Sequence, residues 1–95
     1  MRIGPLVFRV HAIKRMFQRQ ISKDDVRHVL ETGETIEAYP QDTPYPSRLV
    51  LGCRHTRPLH VVVVDNTDTG ETIVITTYEP DPAEWERDCK TRRHR

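Results

Sequence analysis

Cysteine is scarce in this chain of 95 residues, which carries only Cys53 and Cys89. Secreted domains of this size usually contain four or more cysteines as a disulfide framework, so two distant ones favour reduced thiols. Cys53 could form part of a metal site with His55 and His60, but a fourth ligand and a closely spaced cysteine pair are missing. We therefore expect no bound metal.

Long apolar runs are also missing. The longest, Val61 to Val64, has the length of a strand, whereas a membrane span needs about 20 apolar residues. The N-terminal residues lack the apolar stretch of a signal peptide, and the four glycines form no phosphate-binding loop. We expect one cytoplasmic domain covering residues 1–95, with no cofactor and with a frayed tail at about 91–95.

Charge of one sign does not dominate, because the net charge is +1, but the charges are patterned. Residues 1–30 hold seven lysines and arginines against two aspartates, a net charge of +5. Residues 31–45 hold four acidic residues and no basic one, a net charge of −4. A basic front of this kind favours an anionic partner that contacts one face of the molecule.

Two helices are predicted in the first third of the chain. Apolar residues spaced by three and four between His11 and Gln20 predict a helix with one buried stripe, formed by Ala12, Ile13, Met16 and Phe17. Ser22 is a favourable N-cap for a second helix, and Gly33 is a stop signal after it.

The pattern changes to a period of two after Gly33. Alternation around Ile36 and apolar runs at Leu49 to Leu51, Leu59 to Val64 and Thr72 to Tyr78 predict a four-stranded antiparallel meander. Asp81, Pro82 and Glu84 form a helix-start signal, and Trp85 would anchor that helix on the sheet. The predicted fold class is therefore α+β, with two N-terminal helices, the meander and a C-terminal helix.

His11, Arg15 and Arg19 are spaced by four and so form one line on the first helix, beside Lys14. A solvated face, or pairing with acidic residues, would explain this line. Alternatively, Arg15 and Arg19 form an anion clamp in which His11 exchanges a proton near neutral pH.

His60 is unusual because it interrupts the most apolar strand. If the last two strands form a hairpin, His60 and Tyr78 share one face and one end of the sheet, and Arg48 joins them if its register allows. Such a histidine is either a hydrogen-bonded structural residue or a general acid or base. In the second case, Tyr78 and an arginine would assist metal-free RNA cleavage, in which the 2′-hydroxyl loses a proton and the 5′-oxygen gains one.

Several segments together resemble one bacterial family, the domain of unknown function 4258. They are His11-Ala12-x-x-Arg15-Met16-x-x-Arg19-x-Ile21-Ser22, Gly33, Pro44-Tyr45-Pro46-Ser47, Pro58-Leu59-His60-Val61-Val62, Tyr78-x-Pro80 and Trp85. That family is similar to the ribonuclease toxins of the RelE, BrnT and MqsR kind in size and element order. The resemblance implies a RelE-like sandwich and a toxin-like component of a type II toxin–antitoxin pair.

Three functions are compatible with these observations. The first is a metal-independent endoribonuclease of toxin type, whose partners would be RNA or the ribosome and an antitoxin. Its catalytic residues would be His60, Tyr78, His11 and Arg15, and its substrate-binding residues would be Arg19, Lys14 and Arg48. The second is a non-catalytic interaction module that grips an acidic partner through the basic helix face. The third is small-molecule binding on the sheet. Exposed edge strands also make a homodimer plausible.

Overall fold

The computed structural model describes residues 4–94, so Arg2 of the basic front and Arg95 of the predicted frayed tail lie outside the described residues. Two helices and five strands follow one another as β1 (Leu6–Phe8), α1 (Val10–Arg19), α2 (Lys23–Thr32), β2 (Glu34–Tyr39), β3 (Ser47–Arg54), β4 (Arg57–Asp65) and β5 (Thr72–Tyr78). In this described part, no helix has the length and hydrophobicity needed to span a membrane.

Local residues bound α2, whereas a distant arginine caps the end of α1. The Ser22 hydroxyl accepts a hydrogen bond from the Asp25 amide, and the Asp25 carboxylate accepts one from the Ser22 amide, which forms a capping box. Gly33 terminates α2. At the end of α1, the Arg57 guanidinium donates to the carbonyl oxygens of Arg19 and Gln20, and so satisfies helix carbonyls that lack a partner within the helix.

The sheet has five strands in the order β1-β5-β4-β3-β2, rather than the four predicted. Strands β2 to β5 form the expected antiparallel meander, and β1 adds to β5 in parallel over Leu6 to Phe8. The Arg9 amide donates to the Val74 carbonyl, which extends this pairing to the start of α1. The alternation of Leu6, Phe8 and Val10 with Val7 and Arg9 predicts either a short strand or an extended lead-in, and Leu6 to Phe8 form a strand because β5 offers an open edge.

Both helices cover one face of the sheet, α1 over β5 and α2 mainly over β3. The core between them contains Leu59, Val61 and Val63 of β4, which alternate along that strand as a half-buried strand requires. Ala12 and Met16 of α1 and Val26, Val29 and Leu30 of α2 pack against these residues.

The predicted buried stripe of α1 is only half correct. Ala12 and Met16 are buried, whereas Ile13 is 43 % exposed and Phe17 is 87 % exposed. A helix of ten residues that lies on a flat sheet buries a narrow face, and the sheet below α1 contacts only part of its apolar surface.

The predicted C-terminal helix is wrong. One turn does form, since the Glu84 and Trp85 amides both donate to the Asp81 carbonyl. The chain then reverses, because the Asp88 carboxylate accepts hydrogen bonds from the Lys90 and Thr91 amides. Such side-chain to backbone bonds compete with helix propagation. Trp85 pairs with Arg92 in an isolated bridge and is buried against the second face of the sheet without a helix.

Candidate functional site

His60 lies at the centre of the sheet face that the helices leave uncovered. It is paired directly with Tyr78 across β4 and β5, as the hairpin prediction requires, and their ring centroids are 5.4 Å apart. Trp85 covers it edge-on, with centroids 4.6 Å apart. The side chain of His60 is completely shielded from solvent.

The tautomer of His60 follows from the hydrogen bond of its imidazole ring. Nε2 lies 2.6 Å from the Cys89 carbonyl oxygen, which can only accept, so Nε2 carries the hydrogen. Nδ1 has no hydrogen-bond partner among residues 4–94. Burial lowers the pKa of His60, because the cationic form loses solvation. His60 is therefore a neutral imidazole, and its Nε2–H group donates to the backbone carbonyl of Cys89.

Tyr78 is half-buried beside His60. Burial raises the pKa of the Tyr78 phenol, because the phenolate would lose solvation. Both members of the pair are thus held in their neutral forms.

An ion pair between Glu37 and Arg92 holds the C-terminal segment, residues 79–94, over His60 and Tyr78. The Arg92 guanidinium donates two hydrogen bonds to the Glu37 carboxylate, at 2.9 and 3.1 Å, and lies 4.5 Å from the centroid of the Trp85 ring. Those bonds from Arg92 lower the pKa of Glu37, with a further contribution from the Tyr39 hydroxyl. Residues 79–94 are therefore fastened to the sheet by aromatic packing and by a bidentate charge pair.

The basic line of α1 divides into two parts. His11, Lys14 and Arg15 are exposed, and among residues 4–94 the Arg15 side chain donates a hydrogen bond to Gln18 at 3.3 Å. Arg19 instead donates to the Thr77 carbonyl oxygen at 2.8 Å, and so fastens α1 to β5.

The predicted site residues are not assembled into one pocket. His60 and Tyr78 lie together on the sheet face beneath Trp85, whereas α1, with His11, Lys14 and Arg15, packs on the opposite face. Arg48 is paired with Val63 and so shares the helix-covered side; its guanidinium binds Asp65 at 2.8 Å. The register expected for Arg48 beside His60 is thus not the one observed.

The surface of residues 4–94 includes three depressions with volumes of about 440, 440 and 400 Å³. Two of them border the C-terminal segment, near Arg92 and near Pro58 and Cys89, and the third lies between Gly33 and Cys53. None of these three is lined by His60, Tyr78 or α1. Within residues 4–94, no group of three or more His, Cys, Asp or Glu side chains is placed to hold a metal ion.

Sequence reasoning missed two features. One is the pair of Glu37 and Arg92, which are 55 positions apart and carry no local signal. The other is an exposed apolar row on α1 formed by Val10, Ile13 and Phe17. A signal for this row was present, since Val10, seven positions before Phe17, extends the apolar pattern beyond a single stripe.

Comparison with known proteins places the chain in a family. No match was found among curated proteins or among solved structures. The model of the domain of unknown function DUF4258 matches residues 8–79, which include both helices and the whole of strands β2 to β5. The match covers most of the chain and includes both His60 and the basic line of α1. The chain therefore belongs to the DUF4258 family.

Proposed function

We propose that this protein is an interaction module that binds an acidic partner protein through the exposed surface of α1. The observation that carries the proposal is the separation of the two groups of predicted residues. His11, Lys14 and Arg15 are open to solvent on the helix side, whereas His60 is sealed on the other side of the sheet.

The charges on α1 suit an acidic partner. The helix contains no acidic residue, and Lys14 and Arg15 make no ion pair among the described residues. Exposed charge pairs each contribute only about 0.2–1 kcal/mol, so the basic residues act mainly by steering and orienting the partner. The resemblance to toxins makes a cognate antitoxin the first partner to test.

The toxin-like endoribonuclease is the second candidate function. The order of elements, two helices followed by a meander, supports it, because the resemblance to toxins drawn from the sequence implies this order. Contact between His60, Tyr78 and a scissile phosphate would require residues 79–94 to leave the sheet, since general acid–base catalysis works over hydrogen-bond distances. Even then, His11 and Arg15 would stay on the opposite face.

Affinity capture with charge-reversed variants tests the first candidate. We expect Lys14→Glu with Arg15→Glu to abolish capture of the native partner at physiological salt, and Arg15→Glu alone to weaken it. The matched control is Arg87→Glu, which makes the same change of charge at an exposed position of the C-terminal segment and should leave capture intact. Arg19 is unsuitable for reversal, because its bond to Thr77 is structural. Undiminished capture by the double variant would contradict the proposal.

An RNA-cleavage assay tests the second candidate. Purified wild type and His60→Ala are incubated with total RNA and with translating ribosomes in EDTA. Cleavage by the wild type that is lost in a folded His60→Ala variant would favour the ribonuclease and contradict a purely non-catalytic module.

A further inference from the structure

An apolar row crosses the exposed side of α1. Val10 is 81 % exposed and Phe17 is 87 % exposed, with Ile13 between them at 43 %. Their spacing of three and four residues places them on one line about 10 Å long, at 1.5 Å per residue. Single exposed apolar residues are ordinary, but three in a line on one helix form a continuous ridge.

The ridge is oriented away from the bonds that hold α1 in place. Arg19 lies on the side of α1 that contacts β5, where it donates to the Thr77 carbonyl oxygen. Thr77 lies beyond the three residues of β5 that pair with β1. At 100° per residue, Ile13 and Phe17 lie roughly 120–160° around the helix from Arg19. Lys14 follows Val10 by four residues and precedes Phe17 by three, so a cation borders the ridge.

We infer that the part of the partner that binds α1 is an amphipathic helix, whose apolar stripe covers Val10, Ile13 and Phe17 and whose acidic residues meet Lys14. This inference rests on the proposed function and names the chemistry of the partner. A narrow ridge with a row of apolar side chains is the surface that helix-to-helix packing uses. A strand would need a free sheet edge, which a helix does not offer.

Two other occupants, a second copy of this chain and RNA, fit this surface less well. In a second copy of this chain, α1 would repel α1, and the acidic side chains of Glu34 and Glu37 already bind Lys90 and Arg92. RNA would find cations beside the ridge, but the aliphatic side chains of Val10 and Ile13 offer no hydrogen bond to phosphate or sugar.

Site-specific photo-crosslinking in the native cells tests the inference. Phe17 is replaced by p-benzoylphenylalanine, which keeps the phenyl ring and extends it with a photoreactive benzoyl group, and Tyr39, 46 % exposed on β2, receives the same probe as a control. We expect a protein adduct from position 17 and none of the same mass from position 39. The crosslinked peptide should carry net negative charge and apolar residues spaced by three and four. No adduct, an RNA adduct, an adduct with a second copy, or a crosslinked segment without that pattern would overturn the inference.

An affinity measurement separates this inference from the proposed function. Phe17→Ser should weaken the purified complex about tenfold or more, since a buried phenylalanine side chain is replaced by a hydroxyl. Its thermal midpoint without partner should match the wild type, because Phe17 contributes little to the core. If Lys14→Glu with Arg15→Glu abolishes binding while Phe17→Ser binds normally, the amphipathic helix is wrong and the acidic partner stands. If both leave binding intact, the proposed function falls as well.

Discussion

Removal of the His60 ring should destabilise the protein strongly, because that ring is the centre of the packing on the second face of the sheet. His60→Ala loses two edge-on aromatic contacts, each worth about 0.5–1.5 kcal/mol, and a hydrogen bond worth about 0.5–1.5 kcal/mol. It also leaves a cavity under Trp85. Together these losses lower the free energy of unfolding by roughly 2–4 kcal/mol. For a domain of this size, each kcal/mol lowers the thermal midpoint by about 4–8 °C.

Urea unfolding followed by tryptophan fluorescence measures this effect directly. Trp85 is the single tryptophan and contacts His60, so it reports the environment that the substitution changes. His11→Ala is the matched control, because His11 is exposed and its loss should alter the free energy of unfolding by less than about 0.5 kcal/mol. The reasoning is refuted if His60→Ala unfolds at the same urea concentration as the control.

Three further predictions concern stability. Burial lowers the pKa of His60 below its ordinary value of 6.5, so the contribution of His60 to the free energy of unfolding should be complete above pH 6.5 and be lost as the pH falls below it. Between pH 7.5 and 5, the urea midpoint should therefore fall more steeply for the wild type than for His60→Gln, and parallel curves would contradict this. Ser22→Ala removes half of the capping box and should cost about 1 kcal/mol in urea unfolding, whereas an unchanged midpoint would mean that the cap contributes nothing. Gly33→Ala would press a methyl group against the carbonyl oxygens of Leu51 and Val29 and should lower the free energy of unfolding by about 1–3 kcal/mol. A variant of wild-type stability would show that the backbone shifts to avoid this contact.

The elements that the sequence predicted are those with local signals. Ser22 and Gly33 bound α2 because capping depends on residues within one turn. The pairing of His60 with Tyr78 was also predictable, since a short loop between two apolar runs limits the register of the hairpin.

The elements that were left open or wrongly predicted depend on distant parts of the chain. The alternation of Leu6 to Phe8 allowed a short strand or an extended lead-in, and these residues form a strand because β5, more than 60 positions later, has an open edge. The buried side of α1 is decided by the sheet beneath it, so the apolar pattern alone placed Phe17 in the core. At the C-terminus, Asp88 competes for backbone amides after the helix-start signal at Asp81, and reverses the chain.

The same division applies to the candidate site. The exposed part of the α1 line follows from helical spacing within the sequence. The separation of this line from His60 follows from the layer order of the fold, because α1 and Trp85 cover opposite faces of one sheet. A pattern in the sequence shows which side chains share one face of a helix or strand, but not which of its faces the rest of the chain covers.

Hydrogen exchange on the complex of this protein with its native partner tests the central assignment most directly. The account predicts that binding slows amide exchange in α1, Val10–Arg19, and leaves exchange in β4 and in residues 79–94 unchanged. Protection confined to β4 and the C-terminal segment, with α1 unaffected, would contradict it.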